Sequence, residues 1–229
     1  MLFKNLSSNL NNDKLDLNSD LGYTKSLNGP HEFGYFWKKW FPWKSWEEKK
    51  YNEINYTILQ KELAAWESVN NTPLIFKNII DVSFNIEQIA ELFPGAFFIH
   101  IKREPEYVVQ STYQSRIKLF NDNKQWFGLE PPEYKETEQL EVFEQVCAQV
   151  YYSRKYIDQS ISNNKIKSIS INYETLINNT AHILDKIKND LNLKSKNIDI
   201  PLLQDTNLIK LPEDEFNKIK FFCQKYFKE

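Results

Sequence analysis

Arg103 closes the apolar run FFIHIK, and it is the first residue in the chain whose type and surroundings together point to chemistry. The residues before it, Ala96 to Ile101, are rich in Ile and Phe and lack polar alternation, as in a strand buried on both faces of a parallel sheet. Pro105, just after it, suits the first position of a new helix. A guanidinium at the carboxyl end of a parallel strand, beside the N–H groups of a helix N-terminus, suits a phosphate or a sulfate. The other reading is an ordinary strand-end arginine paired with Glu104 or Glu106. His31 and Glu32 stand just ahead of a second informative stretch, GYFWKKWFPWKSW. Beside such an aromatic wall, desolvation raises a carboxylate's pKa, which would make Glu32 a general base. His31, with an ordinary pKa of about 6.5, has the same capacity. Either residue also fits a structural N-cap or turn. Trp37 and Trp40, with Phe41, fit one helical face. Their rings either stack on the sugar or ring of a bound ligand, or pack as an aromatic layer under the sheet.

The elements that must position these groups follow from periodicity. Leu74 to Phe76 reads as a short buried strand. Ile86, Ile89, Ala90 and Phe93 make a helical stripe, opened by a capping box at Asn85 and Gln88 and stopped by Pro94-Gly95. The strand Ala96 to Ile101 completes a βαβ unit, and the next helix is expected to turn Val108, Val109, Thr112 and Tyr113 inward. Further helices are expected over Met1 to Leu10, Tyr51 to Asn70, about 138 to 160 and Ala181 to Leu191. An amphipathic helix with Phe216, Ile219, Phe222 and Tyr226 follows at the C-terminus. Lys165 to Tyr173 alternates apolar residues and reads as a further strand. The fold class expected is α/β, a parallel sheet flanked by helices, in a single domain spanning 1–229.

Composition narrows the partners. With 29 basic and 31 acidic residues the net charge is −2, so no bulk basic field favours nucleic acid or an anionic membrane surface. No apolar run reaches the ~18 residues of a membrane span, and residues 1–20 lack the hydrophobic core of a signal peptide. Cys147 and Cys223 fall on apolar helical faces and read as packed thiols rather than a disulfide or a metal pair. A cytoplasmic setting is the expectation.

The stretch FFIHIKREPEYVVQSTYQS resembles the 3′-phosphate-binding segment of the sulfotransferase family, in which a hydrophobic strand runs into an Arg and then a Ser eight positions later. The resemblance implies that Arg103 and Ser111 hold the 3′-phosphate of 3′-phosphoadenylyl sulfate (PAPS), the sulfate donor, with no metal. It makes Lys77, after Leu74 to Phe76, the lysine that approaches the transferring sulfuryl group. It gives Tyr173, in Asn-Tyr-Glu-Thr-Leu, a place in the adenine pocket. Trp126-Phe127-Gly128 with Pro131-Pro132, ahead of a long helix, is similar to a segment of the bacterial and carbohydrate-active branches. A glutamate after the first helix, as in the tyrosylprotein branch, matches Glu32 by position. The Arg-Lys-Gly segment of the cytosolic branch is not found. Nor is there a Ser-Gly-Thr or Gly-Lys-Ser/Thr cluster, since all five glycines (22, 29, 34, 95 and 128) lie after the first helical stretch. Successive loop N–H groups of such a cluster cradle the donor's 5′-phosphosulfate. The expectation is therefore a P-loop-NTPase-like sulfotransferase fold, shortened at its amino end and missing the first strand and phosphate loop.

The implied function is transfer of a sulfuryl group from PAPS to an acceptor hydroxyl or amine, with weak or no turnover by these 229 residues. One rival is a catalytically dead α/β domain that binds a glycan or a protein through its Trp-rich segment. Another is a different nucleotide-binding α/β transferase, such as a small kinase, which the lack of a Gly-Lys-Ser/Thr loop disfavours.

Overall fold

A computed structural model describes residues 33–71, 73–77, 82–128, 130–163, 165–193, 200 and 202–228, and the backbone of 19–20 and 23–24. The helix expected over Met1 to Leu10, and both His31 and Glu32, lie outside the described residues. The chain packs as two compact units, Met1–Asn85 with Gly128–Glu130, and Ile86–Phe127 with Pro131–Glu229.

In the first unit, strands β1 (Ser19–Asp20) and β2 (Tyr23–Thr24) form a minimal antiparallel ladder. Helix α1 (Gly34–Trp40) ends ahead of Pro42, as the break in the aromatic segment predicts. Helix α2 (Tyr56–Asn70) starts later than its apolar spacing indicates, because Asn55 caps it: the Asn55 side-chain oxygen accepts from the Ile58 N–H at 3.2 Å. The residues before it, Tyr51–Glu53, form one turn of 3-10 helix instead.

Leu74 to Phe76 is the clearest correction. The stretch forms no strand, and Ile75 is 89% exposed. Phe76 explains the outcome, because its ring stacks on Phe36 (centroids 6.3 Å apart, 6° between planes) and meets Trp37 edge-on at 5.0 Å. An apolar triplet has no periodicity of its own, and Phe76 joins an aromatic cluster rather than a sheet.

The second unit holds helix α3 (Ile86–Leu92), β3 (Phe98–Lys102), α4 (Pro105–Phe120), α5 (Tyr134–Thr137), α6 (Val142–Ile161), β4 (Ser168–Asn172), α7 (Tyr173–Asn178), α8 (Thr180–Asp190) and α9 (Glu213–Tyr226). Ile86 and Ile89 bury the α3 stripe. The Asn85 carboxamide accepts from the Tyr51 hydroxyl at 2.7 Å, and the Gln88 side-chain amide donates to Glu91. Strands β3 and β4 pair in parallel, with Ile99 opposite Ile169 and Lys102 opposite Asn172. The result is a short parallel sheet flanked by helices, an α/β fold.

The core lies where α4, α6 and α9 meet: Val109 and Tyr113 from α4, Phe143, Val146, Cys147 and Val150 from α6, and Phe216, Ile219 and Cys223 from α9. Cys147 and Cys223 are free thiols, 3.7 Å apart at sulfur, and the hydrogen bond with Cys223, together with burial, pushes the Cys147 pKa well up. Glu141 caps α6 by accepting from the N–H groups of Phe143 and Glu144 at 2.9 and 3.2 Å. The inward face of α4 is centred one position later than the apolar residues indicate: Val109, Gln110, Tyr113 and Arg116 are buried, while Val108 and Thr112 lie at its margin.

Arg116 is 0% exposed, and no carboxylate pairs with it among the described residues. Its two terminal nitrogens donate to Gln145 Oε1 and Gln149 Oε1 at 2.6 Å each, and one also reaches the Asn123 carbonyl at 3.2 Å. The Trp126 ring lies 5.3 Å from the guanidinium carbon. Burial lowers the Arg116 pKa to about 10, against the opposing influence of Tyr134 and Asp122, so the group stays charged at neutral pH. The Gln149 amide also bonds the Phe127 carbonyl. The clamp thus joins α4, α6 and the loop after α4, and it fixes the Trp126 end of the segment containing Pro131-Pro132. Gly128 in that segment has φ of 105°, which a glycine adopts without strain.

Candidate functional site

The parallel register dictates the site. Lys102 lies opposite Asn172, so the next residues of the two strands, Arg103 and Tyr173, emerge side by side at their carboxyl ends although far apart in sequence. The guanidinium carbon of Arg103 sits 4.8 Å from the centre of the Tyr173 ring and 5.7 Å from that of Tyr107. An arginine face on an aromatic ring leaves its edge of N–H donors pointing outward. Those donors meet oxygen acceptors: Nε bonds Asn207 Oδ1 at 2.6 Å, and a terminal nitrogen bonds the Thr206 carbonyl at 2.7 Å. Neither Glu104 nor Glu106 forms an ion pair with Arg103 among the described residues, which removes the reading of an arginine tied down by its neighbours.

Ser111 is exposed on α4, four residues after Tyr107. Helix geometry puts i and i+4 on one face about one turn apart, so Ser111 shares a face of α4 with Tyr107. Lys77 is exposed and belongs to the first unit. Trp37 and Trp40 are buried, with the Trp37 ring against Phe36, Phe41 and Phe76 and the Lys39 ammonium 4.7 Å from the Trp40 ring. Binding of an acceptor ring by either indole would require that layer to open.

Several residues around Arg103 carry no signal in the sequence. The segment 202–211 runs past the site as an irregular strap. The Tyr173 hydroxyl is clasped by Thr206, from the backbone N–H at 2.9 Å and at Oγ1 at 2.7 Å. Asn207 Nδ2 donates to Glu174 Oε1 at 2.8 Å. Further on, Gln110 spends both ends of its carboxamide on the strap: Nε2 donates to the Leu208 carbonyl at 2.8 Å, and Oε1 accepts from the N–H groups of Lys210 and Leu211 at 2.7 and 3.2 Å. A polar residue at a buried position of α4 was the one available clue.

Replacing Gln110 with Ala is expected to leave two strap N–H groups and one carbonyl without their partner, at a cost of about 1–3 kcal/mol. Amide exchange at Lys210 and Leu211 should speed up while exchange in the α4–α6–α9 core keeps its order, which residue-resolved hydrogen exchange checks.

On the other side of β3, His100 and Lys102 face α6. Lys102 Nζ lies 2.6 Å from Asp158 Oδ1, His100 Nδ1 lies 3.6 Å from the same oxygen, and Arg154 Nε is 3.8 Å from the other. Burial lowers the His100 pKa, Asp158 opposes that, and Lys102 and Arg154 add to it. A histidine whose folded pKa is depressed binds its proton more readily when unfolded, so its contribution to stability is lost as pH falls through the ordinary value of about 6.5. The fall in stability between pH 7 and 5 should be shallower in His100→Gln than in the wild type, as read from urea midpoints. Among the described residues no group of three or more metal-ligating side chains occurs, and no helix is long and apolar enough to cross a membrane.

The parallel strand pair carries an arginine and a tyrosine at its carboxyl end, the first beside a helix N-terminus, and it is at such strand ends that ligands bind in open α/β sheets generally. A family model described as the sulfotransferase family matches residues 21–196, and the chain belongs to that family. No curated protein and no solved structure gives a match.

Proposed function

We propose that the chain binds PAPS, with Arg103 and Ser111 at the 3′-phosphate and Tyr173 at the adenine, as the 3′ half-site of a sulfotransferase. The observation that supports this most is the Arg103 guanidinium, stacked on Tyr173 with its donor edge turned to oxygen acceptors. Phosphate oxygens are better acceptors for that edge than the neutral oxygens there now, because a phosphate adds a full opposite charge and can accept from a guanidinium through two parallel bonds.

In the proposed reaction the acceptor's hydroxyl or amine attacks sulfur in line. The new bond to sulfur forms as the bond from sulfur to the 5′-phosphate oxygen breaks, and adenosine 3′,5′-bisphosphate leaves. Glu32 or His31 takes the acceptor's proton, and Lys77 offsets charge on the transferring group and the leaving phosphate. Removing one such preorganised donor costs about 10²–10³ in rate. The chain contains no Ser-Gly-Thr or Gly-Lys-Ser/Thr cluster to cradle the 5′-phosphosulfate. Its turnover with PAPS is therefore expected to be weak or absent even where it binds the bisphosphate. Robust sulfation by purified 1–229 would contradict that.

The nucleotide reading itself is tested by competition: adenosine 3′,5′-bisphosphate should bind better than ATP. ATP binding more tightly would favour a different nucleotide-using transferase. Glycan binding that survives Arg103→Ala, with no affinity for the bisphosphate, would favour a binding domain.

A further inference from the structure

We propose that Thr206 and Asn207 form a removable plug on the nucleotide's 3′-phosphate anchor, so that the free chain holds its own site shut; the proposal rests on the nucleotide reading above. On the Arg103 edge formed by Nε and one terminal nitrogen, the donors that a phosphate would engage are occupied by the Asn207 carboxamide and the Thr206 carbonyl, at 2.6 and 2.7 Å. The Tyr173 hydroxyl is likewise held by Thr206. An anion therefore reaches this guanidinium edge only as these groups leave.

The strap is attached unevenly, and that lets one end move. Its 208–211 end is fixed on Gln110, which is 3% exposed and makes three part-buried hydrogen bonds to it. Its tip is exposed at Gln204, Asp205 and Thr206, and most of its bonds to Arg103 and Tyr173 join a neutral partner at the rim of the fold. Displacing neutral acceptors from a guanidinium by a phosphate dianion is favourable, whereas breaking the Gln110 bonds would strand buried groups. The tip lifts and the anchored end stays. Glu174 reinforces the closed state twice, by accepting from Asn207 and by placing a carboxylate where an arriving anion is repelled.

A plug of this kind lowers apparent affinity by the fraction of molecules that are open. Removing its side-chain bonds in Thr206→Ala/Asn207→Ala should tighten adenosine 3′,5′-bisphosphate by roughly tenfold, the equivalent of one or two hydrogen bonds. Glu174→Gln should tighten it in the same direction. In the wild type, bisphosphate should accelerate exchange of the Thr206 amide, which Tyr173 now holds, while the Lys210 and Leu211 amides keep their protection. Tighter binding in the double variant supports the plug, as does binding that appears only in that variant. Equal affinity in both proteins, with Thr206 protection unchanged, overturns the plug and leaves the nucleotide reading standing. No binding in either protein overturns both.

Discussion

Arg116→Ala should lose about 3 kcal/mol of stability or more, read as a shift in the urea midpoint at unchanged slope. Truncation strips the partner from Gln145 Oε1 and Gln149 Oε1, both buried, and from the part-buried Asn123 carbonyl. An unsatisfied buried acceptor costs about 1–3 kcal/mol, and the space left beside Trp126 adds a cavity penalty. A term of opposite sign partly offsets these, because a buried cation with only neutral partners is itself poorly solvated. Arg116→Met tests that balance. It keeps most of the volume and removes the charge, so it should lose less than the alanine variant while remaining below the wild type. A loss under ~1 kcal/mol for Arg116→Ala would mean that the glutamines find water or each other, and that the guanidinium does not organise this part of the fold. The consequence reaches the site, since the same helix begins two residues after Arg103.

What the sequence made legible follows the range over which each signal acts. The start of α4 at Pro105, the α3 stripe and the β4 alternation are local patterns, and the structure contains those elements. The family resemblance assigned Arg103 and Tyr173 separate roles, at the phosphate and at the adenine; that their side chains meet follows from the parallel register of two five-residue strands. Leu74 to Phe76 misled because three apolar residues carry no period, and the nearest aromatic rings captured Phe76. The strap was invisible for a different reason. Its bonds join residues 31 to 104 positions apart, as in Gln110 with Lys210, and such pairing leaves no trace in composition or spacing. Gln110 and Arg116 shared one disguise: a helix face read by its apolar members hides the polar residues that the fold buries beside them. At Trp37 and Trp40 the packed aromatic layer, one of the two readings open from sequence, describes where the rings lie.

The claim that most needs testing is that Arg103 anchors the 3′-phosphate of an adenine nucleotide. Arg103→Ala removes the guanidinium that stacks on Tyr173 and meets acceptors at 2.6 and 2.7 Å. The group is half-buried at the end of β3 and outside the α4–α6–α9 core, so the variant should fold with its urea midpoint nearly unchanged. A charge-assisted contact to a phosphate is worth about 1.5–3 kcal/mol, and each 1.4 kcal/mol is a factor of ten in affinity. Isothermal titration calorimetry with adenosine 3′,5′-bisphosphate at low salt should therefore show binding to the wild type and a loss of at least ~1.5 kcal/mol, tenfold or more, in the variant. Equal affinity in the two folded proteins would remove Arg103 from the site and contradict the account.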